Sequence, residues 1–305
     1  IASNDGTFLK PFKKNGFRVL GVDPASNIAK IAIDDGIDTF IDFFGIKVAK
    51  KIFLNQGKAN LIFARNVIPH VENIKDVIEG ISFLLSKNGV GIIEFHRADI
   101  ILGELHYDSI YHEHLFYFSI TSLTFLLSEF DLYPFDLDVS PISGGSYVIY
   151  FSKEKRETSE ALNKAKMKEI NLGVEKQDKW ELFAKNVINH SKNFLKLIRD
   201  EALDEKVIVG YGASARSSTL LNFLDFSDIK IKAIADKSEY KHGLLSPGTN
   251  IPIISPREAL NYNPDIIILL AWNFKNEIIK DLREIYNWSG KVIVPLPYEA
   301  VIIEI

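Results

Sequence analysis

The stretch that decides the fold is Val209-Gly210-Tyr211-Gly212-Ala213-Ser214-Ala215, a glycine-rich turn between a short apolar run and a helical pattern. Glycine allows the tight backbone of such a turn, and the next helix offers free N–H groups to an anion. Arg216 adds a cation beside the turn, and Asp236 ends the next predicted strand. The pattern therefore predicts a strand–turn–helix unit that binds a diphosphate or, through Asp236, the ribose of NAD, and a purely structural turn is the alternative.

The rest of the chain repeats this alternation of strands and helices. The predicted strands are residues 18–22, 39–43, 60–63, 90–95, 206–209, 232–235, 265–270 and 291–294, with a final antiparallel pair of the first domain at residues 133–139 and 146–151. The spacing of one helix face predicts a helix over residues 74–85, with apolar residues at Ile74, Val77, Ile78, Ile81, Leu84 and Leu85. Lys87-Asn88-Gly89 predicts a stop between this helix and the next strand. The alternation predicts the α/β class, with two Rossmann-like doubly wound domains.

The predicted domains are residues 1–152 and 205–305, joined by a helical connector over residues 153–204. The connector is rich in lysine and glutamate, which is typical of a solvated helix with one buried face. The chain begins with Ile1-Ala2, which looks like the end of a strand that enters a turn. We therefore expect the first domain to be truncated at its start.

Composition narrows the possible functions. The chain has 305 residues, a formal net charge of −4 and no cysteine, so disulfides, zinc–thiolate sites and cysteine nucleophiles are excluded from it. A weakly acidic chain is a poor candidate for binding nucleic acid. No apolar run reaches the roughly 18 residues of a spanning helix, and no signal peptide is found. We expect a soluble, cytoplasmic protein with neither nucleic-acid nor membrane partners.

A first candidate ligand site follows the carboxyl ends of four predicted strands. Ser3-Asn4-Asp5-Gly6 forms a small-residue turn, and Asp23 lies seventeen positions after Gly6, where it can bind both ribose hydroxyls of an adenosine. Asp42-Phe43 can contact an adenine, and Asn66-Val67 can flank the other end of the ligand. These residues suit NAD as well as S-adenosylmethionine.

Five of the seven histidines lie between His70 and His114. The densest patch is Tyr111-His112-Glu113-His114, followed by Tyr117. Histidine moves protons near neutral pH, and tyrosine can donate to a developing oxyanion. A metal site and a purely structural role are the alternatives. We favour His114 as a catalytic base and expect no metal in this chain, because no paired-ligand spacing is present.

These motifs together resemble the nucleotide-sugar C-methyltransferases of deoxysugar biosynthesis, which build branched sugars such as mycarose and tetronitrose. The resemblance runs in order over nearly the whole chain. The matching segments are Ala2-Ser3-Asn4-Asp5-Gly6, Gly21-Val22-Asp23-Pro24, Asn66-Val67-Ile68-Pro69-His70-Val71, Asp108-Ser109-Ile110-Tyr111-His112-Glu113-His114, Gly144-Gly145-Ser146, Gly210-Tyr211-Gly212-Ala213-Ser214-Ala215, Pro247-Gly248-Thr249-Asn250-Ile251-Pro252-Ile253 and Trp272-Asn273.

The resemblance implies a class I methyltransferase domain, followed by a domain that closes over a nucleotide-linked keto-sugar, in the dTDP form or a similar one. S-adenosylmethionine would be the cofactor, His114 the base, and Tyr111, Glu113 and His70 its neighbours at the reacting sugar. The implied cofactor-binding residues are Ala2, Ser3, Asn4, Asp5, Gly6, Asp23, Pro24, Asp42, Phe43, Asn66 and Val67. The implied substrate-binding residues are Tyr117, Gly144, Gly145, Gly210, Gly212, Ser214, Arg216 and Asn273.

The chain departs from the family at several points. Family members carry an N-terminal cysteine-rich zinc domain, so we expect zinc only in a domain that this chain lacks. Asp23 replaces a common glutamate, and Arg216 replaces a common lysine, which changes the geometry of a phosphate contact. Two alternatives stay open, namely an NAD-dependent oxidoreductase or epimerase that uses the C-terminal domain, and a non-catalytic nucleotide-sugar-binding protein.

Overall fold

The computed structural model of the chain describes residues 1–203 and 206–305. The chain forms two compact units, the first from Ile1–Asp99 and Glu113–Glu175, the second from Ile100–His112 and Lys176–Ile305. The predicted boundary at residues 204 and 205 lies outside the described residues. The units also divide the chain differently from the predicted domains, because residues 100–112 join the second unit and the predicted connector is shared between both.

Eleven helices and twelve strands are found among the described residues. In chain order they are α1 (Lys10–Lys14), β1 (Gly21–Val22), α2 (Ser26–Asp34), β2 (Thr39–Phe40), α3 (Ile46–Gln56), β3 (Ala59–Arg65), α4 (Ile74–Leu84), β4 (Leu85–His96), α5 (Ala98–Glu104), α6 (Ile120–Ser128), β5 (Tyr133–Ser140), β6 (Ser146–Ser152), α7 (Glu160–Leu172), α8 (Gln177–Glu201), β7 (Ile208–Tyr211), α9 (Ala215–Phe223), β8 (Ile231–Ala235), β9 (Ile253–Ile254), α10 (Pro256–Leu260), β10 (Ile266–Leu269), α11 (Lys275–Glu284), β11 (Lys291–Val294) and β12 (Val301–Glu304).

The first unit contains two sheets. β1 and β2 form a short parallel pair, and the second sheet has the order β3-β4-β6-β5, parallel between β3 and β4 and antiparallel elsewhere. The predicted antiparallel pair is therefore confirmed. The first three residues bond to both sheets, because the amino group of Ile1 donates to the Phe63 carbonyl at 2.8 Å and the Ser3 N–H donates to the Val22 carbonyl at 3.2 Å.

Helix α4 shows how the apolar spacing is used. The Asn73 side chain accepts a hydrogen bond from the Asp76 N–H at its start, and the predicted face is buried through Ile78 and Ile81, both with no exposed area. The predicted helix over residues 74–85 agrees with the structure within one residue, whereas residues 87–89, predicted as a stop between helix and strand, lie inside β4. The helix ends at Leu84 and β4 begins at once with fully buried Leu85, which pairs with Ala59 and continues into the core.

The second unit has one sheet, in the order β12-β11-β10-β7-β8-β9. All neighbours are parallel except β12, which is antiparallel to β11. The chain winds outward from β7 in both directions, so this unit is doubly wound and its switch point lies between β7 and β10. The α/β class is confirmed, whereas β9 and β12 were not predicted.

The two helices of the predicted connector bury apolar faces in different units. Leu162 and Ala165 of α7 belong to the core of the first unit, and Phe194 and Ile198 of α8 are fully buried in the second. This difference in packing explains why the segment is divided. No helix formed by the described residues is long and apolar enough to cross a membrane.

Candidate active site

The first glycine turn is held by the carboxylate that follows β1. Ala2, Asn4 and Gly6 all have positive φ, at 52°, 53° and 76°. The Asn4 N–H donates to Asp23 Oδ2 at 2.8 Å, and Asp23 Oδ1 accepts from the N–H of Ala25 at 2.9 Å. The structure therefore joins two predicted cofactor-binding residues, Asn4 and Asp23, in one hydrogen-bonded arrangement.

The polar groups of this turn fit a ligand with many hydroxyl and charged groups. Ser3 Oγ is buried without a hydrogen-bond partner among the described residues, and Gly21 leaves space for it, because a Cβ there would lie 2.4 Å from this oxygen. Asp5 accepts hydrogen bonds from the N–H and hydroxyl of Thr7, which lower the pKa of its carboxyl group. The Ser3 hydroxyl without a partner and the ionised Asp5 carboxylate are groups that can bind the polar atoms of an adenosyl amino acid.

A cavity of about 680 Å³ opens between β1 and β3 in this unit. Ser3, Asn4 and Asp5 line it, together with Arg65 at the end of β3. The Arg65 guanidinium lies 4.7 Å from the centre of the Phe8 ring, and its Nε donates to Glu94 Oε2 at 2.5 Å. Sequence reasoning missed Glu94, because nothing in an apolar strand pattern marks one of its residues as a fully buried carboxylate.

The remaining predicted cofactor-binding residues lie at the carboxyl ends of their strands. Because β1 and β2 are parallel, the Asp23 N–H donates to the Phe40 carbonyl at 3.1 Å, which brings Asp23 to the edge where Asp42 and Phe43 follow β2. Phe43 is 78% exposed, so a face of its ring is available. Asn66 directly follows β3, has a φ of 49° and donates its N–H to the Glu94 carbonyl.

Two predicted catalytic histidines come together in the first unit. His70 ends the 3-10 helix Ile68–His70, and its ring centre lies 4.8 Å from that of His114. The segment that carries His114 is tied to this helix, because the N–H groups of Leu115 and Phe116 both donate to the Pro69 carbonyl. Tyr117 completes the group with its ring centre 5.8 Å from that of His114.

The hydrogen bonding of His70 sets its tautomer. His70 Nδ1 lies 2.9 Å from the carbonyl oxygen of Glu113, and a carbonyl oxygen can only accept. Nδ1 therefore carries a hydrogen, and Nε2 of the neutral ring is left as an acceptor. His70 and Glu113 are exposed, and His114 is half-buried. The arrangement can take up a proton at an imidazole that remains accessible to a small molecule.

The other half of the histidine motif belongs to the second unit. Tyr111 and His112 lie there, whereas Glu113 and His114 lie in the first, so the unit boundary falls inside the motif. His112 is exposed and Tyr111 is half-buried. Among the residues that the structure describes, no group of three or more histidine, aspartate or glutamate side chains is placed to hold a metal ion.

The second glycine turn uses the same backbone device as the first. Gly212 has a φ of 96°, and the N–H of Ala213 donates to Asp236 Oδ2 at 2.7 Å. Lys241 lies 3.1 Å from the same oxygen and also donates to the Ala213 carbonyl. Ser214 caps α9 through a reciprocal bond with Ser217. The carboxylate that would bind an NAD ribose is thus already paired inside the protein.

The predicted substrate-binding residues divide between the units. Gly144 and Gly145, with φ of 84° and 136°, form the connection between β5 and β6 in the first. In the second unit, Gly210 lies within β7 and Asn273 lies in the 3-10 helix Trp272–Phe274. Arg216 forms two hydrogen bonds to Asp108. Asp108 and Trp272 stand in the matched motifs, but no sequence signal indicated that they pair.

Comparison with known proteins identifies the class. Residues 1–135 match a methyltransferase domain, and residues 141–297 match the C-methyltransferase C-terminal domain. The chain is 33% identical over 304 residues to the C-methyltransferase NovU of Streptomyces niveus, and the match covers 99% of this chain and 72% of that protein. The chain belongs to the family of S-adenosylmethionine-dependent C-methyltransferases, which confirms the family assignment, the enzyme class and the cofactor.

Two solved structures each resemble half of the chain. The magnesium protoporphyrin IX methyltransferase of Synechocystis PCC 6803 with bound S-adenosylhomocysteine has 12% sequence identity and a TM-score of 0.40, covering 50% of this chain and 72% of that one. The PH0226 protein of Pyrococcus horikoshii OT3 has 17% identity and a TM-score of 0.40, covering 50% of this chain and 79% of that one.

Proposed function

We propose that this protein transfers a methyl group from S-adenosylmethionine to a carbon next to the ketone of a nucleotide-linked keto-deoxysugar, with His114 as the base. The observation that carries the proposal is the pairing of His70 and His114, which are far apart in the sequence but whose ring centres lie 4.8 Å apart. The Glu113 carbonyl, 43 positions from His70, accepts the hydrogen bond that orients the His70 ring. The substrate class, in the dTDP form, comes from the motifs that the chain shares with deoxysugar C-methyltransferases.

The chemistry requires a base and a donor. A proton on the carbon beside a ketone is weakly acidic, so His114 removes it while the electron pair of the C–H bond forms a C=C bond and the π pair of the carbonyl moves to its oxygen. Tyr111 is proposed as the donor to that oxygen, on the ground of the motif. S-adenosylmethionine, when bound, supplies an electrophilic methyl group and leaves as a neutral thioether. His70 is the exposed neighbour through which the proton on His114 returns to water.

The glycine turn Ser3-Asn4-Asp5-Gly6 is proposed to hold the methyl donor. Asp23 would accept hydrogen bonds from the ribose hydroxyls, and the adenine would lie against Asp42 and Phe43. The orphaned hydroxyl of Ser3 and the exposed ring of Phe43 support this placement, because each offers a contact that the described residues do not use. Ala2, Pro24, Asn66 and Val67 complete the proposed cofactor site.

The base step can be measured without methyl transfer. The protein is incubated in D2O with S-adenosylhomocysteine and a dTDP-4-keto-6-deoxy sugar, and the loss of proton signal beside the ketone is followed by NMR. We expect exchange in the wild type and a rate lower by about 100-fold in His114→Asn, because a positioned base contributes that much. A parallel assay with S-adenosylmethionine follows the mass gain of one methylene unit.

The matched control is His112→Asn, the same substitution two positions away at an exposed residue to which no role is assigned. Exchange within about threefold of wild type is expected there, as for most surface changes. The affinity for S-adenosylhomocysteine, measured by calorimetry, should be preserved in both variants. Unchanged exchange in His114→Asn would remove the base from the proposal, and absence of both reactions in the wild type would remove the substrate class.

A further inference from the structure

The turn that precedes Tyr111 is buried to an unusual degree for a loop. His106, Tyr107, Asp108 and Ser109 are each at most 5% exposed, and residues 107–109 form a 3-10 helix. Loops normally run over the surface, because their backbone and polar side chains need water. A buried carboxylate in such a loop requires partners that replace its hydration.

Asp108 has those partners in the second unit. Its Oδ1 accepts from Arg216 Nη2 at 2.8 Å, and its Oδ2 accepts from Arg216 Nε at 2.9 Å and from the indole N–H of Trp272 at 2.8 Å. The side chains of Asp108 and Arg216 are 1% and 12% exposed. The Arg216 guanidinium also lies 4.8 Å from the centre of the Trp272 ring. This arrangement is a bidentate buried ion pair with a third donor.

Two further side chains beside the turn, those of Tyr107 and His190, are uncharged. The Tyr107 hydroxyl lies 3.1 Å from His190 Nδ1, and His190 Nε2 donates to the Pro295 carbonyl at 2.8 Å. Burial lowers the pKa of His190 and raises that of Tyr107, so both are neutral near neutral pH. Neither of them balances the charge of Asp108, and Arg216 is the cation that pairs with it.

Helix α9 holds the turn at both of its ends. Arg216 is the second residue of this helix and pairs with Asp108, while Phe223 is its last residue and packs against Tyr107 with ring centres 5.3 Å apart. The 3-10 helix Trp272–Phe274 adds the indole donor, and the Trp272 ring packs against His106 at 4.7 Å. The backbone that leads to Tyr111 is thus fixed on two elements of the second unit.

We propose that Asp108 is a positioning residue, which with Arg216 and Trp272 fixes the 107–109 turn and thereby the backbone of Tyr111, and that Arg216 serves this pair rather than a phosphate of the substrate. The inference rests on the proposed function of the Tyr111–His114 motif. It departs from the sequence-based expectation that Arg216 contacts the nucleotide, because a guanidinium already shared in two bonds with a buried carboxylate has less charge to offer an anion.

The test is a double-mutant cycle with Asp108→Asn, Arg216→Gln and the combined variant, all neutral and close in shape. The readouts are kcat and KM for the keto-sugar, the Kd for free dTDP, and hydrogen exchange of the peptide that covers residues 105–112. Each single variant removes the opposite charge from a buried ionic group, so we expect faster exchange in that peptide and a kcat about tenfold lower, with KM and the dTDP Kd within about threefold. The double variant should recover part of both losses.

A matched control exists in the same unit. Arg199 and Asp228 form another bidentate pair, at 2.6 and 2.8 Å, but their side chains are 42% and 55% exposed. The cycle Asp228→Asn and Arg199→Gln should change none of the readouts, because exposed pairs contribute little. If the Arg199 and Asp228 variants change kcat and hydrogen exchange as much as the Asp108 and Arg216 variants do, loss of any ion pair in this unit has the same effect. That result would overturn the positioning role proposed for Asp108.

Two further results would contradict the proposal. If Arg216→Gln raises the dTDP Kd tenfold or more while Asp108→Asn does not, Arg216 is a phosphate ligand. If exchange of residues 105–112 rises with no change in kcat, Asp108 is merely structural. Absence of turnover in the wild type counts against the proposed function alone, since exchange and dTDP affinity still show whether Asp108 and Arg216 act as one anchor.

Discussion

The two glycine turns of this protein share a backbone design and differ in how their carboxylates are satisfied. In each turn an N–H donates to the aspartate after the next parallel strand, from Asn4 to Asp23 and from Ala213 to Asp236, at 2.8 and 2.7 Å. The other carboxylate oxygen accepts from the N–H two residues further on in both cases. The geometry of a glycine turn and a following acidic residue is therefore not in itself a sign of a ligand.

The difference lies in the side chains around the two carboxylates. Lys241 pairs with Asp236, whereas no side-chain ion pair reaches Asp23 within residues 1–203 and 206–305. Ser3 adds an orphaned hydroxyl to the first turn. A carboxylate whose charge is balanced internally gains little from a ribose, and an unbalanced one gains more. The comparison favours the first turn as the nucleoside site and weakens the case for a dinucleotide in the second.

The largest expected effect concerns packing at the turns. An added Cβ at Gly212 would lie 2.3 Å from the Cβ and 3.0 Å from the backbone nitrogen of Ala271, whereas at Gly6 the nearest atoms are 3.1 Å away, on Ala32 and Ile37. We expect Gly212→Ala to lower the free energy of unfolding by about 4 kcal/mol and Gly6→Ala by about 2 kcal/mol, because both add left-handed strain and the former also adds a backbone clash. Urea unfolding followed by circular dichroism measures both.

Gly243→Ala separates strain from clash in that experiment. Gly243 has a φ of 81° and no atom within 4 Å of an added Cβ, so this variant should lose only the left-handed strain of about 1 kcal/mol. Equal losses in all three variants would show that the close approach of Gly212 to Ala271 has no energetic weight. The second turn would then be no more tightly packed than the first.

The next effect concerns the two carboxylates. Asp23→Asn should weaken the binding of S-adenosylhomocysteine by about tenfold, because the amide cannot accept two charge-assisted bonds, while Asp236→Asn should leave it within about twofold. Asp236→Asn should instead reduce the free energy of unfolding by about 2 kcal/mol. Calorimetric titration and urea unfolding of both variants provide the four values. If only Asp236→Asn weakens the binding of S-adenosylhomocysteine, the second turn and not the first is the nucleoside site.

The sequence predicted the layout of these turns better than their chemistry. The order of strands and helices follows from apolar periodicity, and all eight strands predicted for the alternating regions occur, seven of them with shifted ends. Asp23 and Asp236 were marked equally, since their positions after a strand are alike. Lys241 distinguishes them, but it is joined to Asp236 by a loop whose path depends on tertiary packing. The contact between Asp108 and Trp272 could not be predicted either, because the two residues are 164 positions apart in the sequence and meet only through tertiary packing.

The smallest expected effect is the sharpest test of the alternative function. Lys241 is 39% exposed, so Lys241→Met should cost at most about 1 kcal/mol of stability. The matched variant Lys51→Met removes a half-exposed lysine 3.8 Å from Asp42 in the first unit. We expect no NAD binding by calorimetry in the wild type or in either variant, because Gly212 lies so close to Ala271 that an added Cβ would be 2.3 Å from its Cβ, which leaves the second turn less room for a ligand than the first. Binding of NAD by Lys241→Met alone would show that one lysine blocks an otherwise competent ribose site, so that the difference between the turns would reflect a single side chain rather than their overall construction.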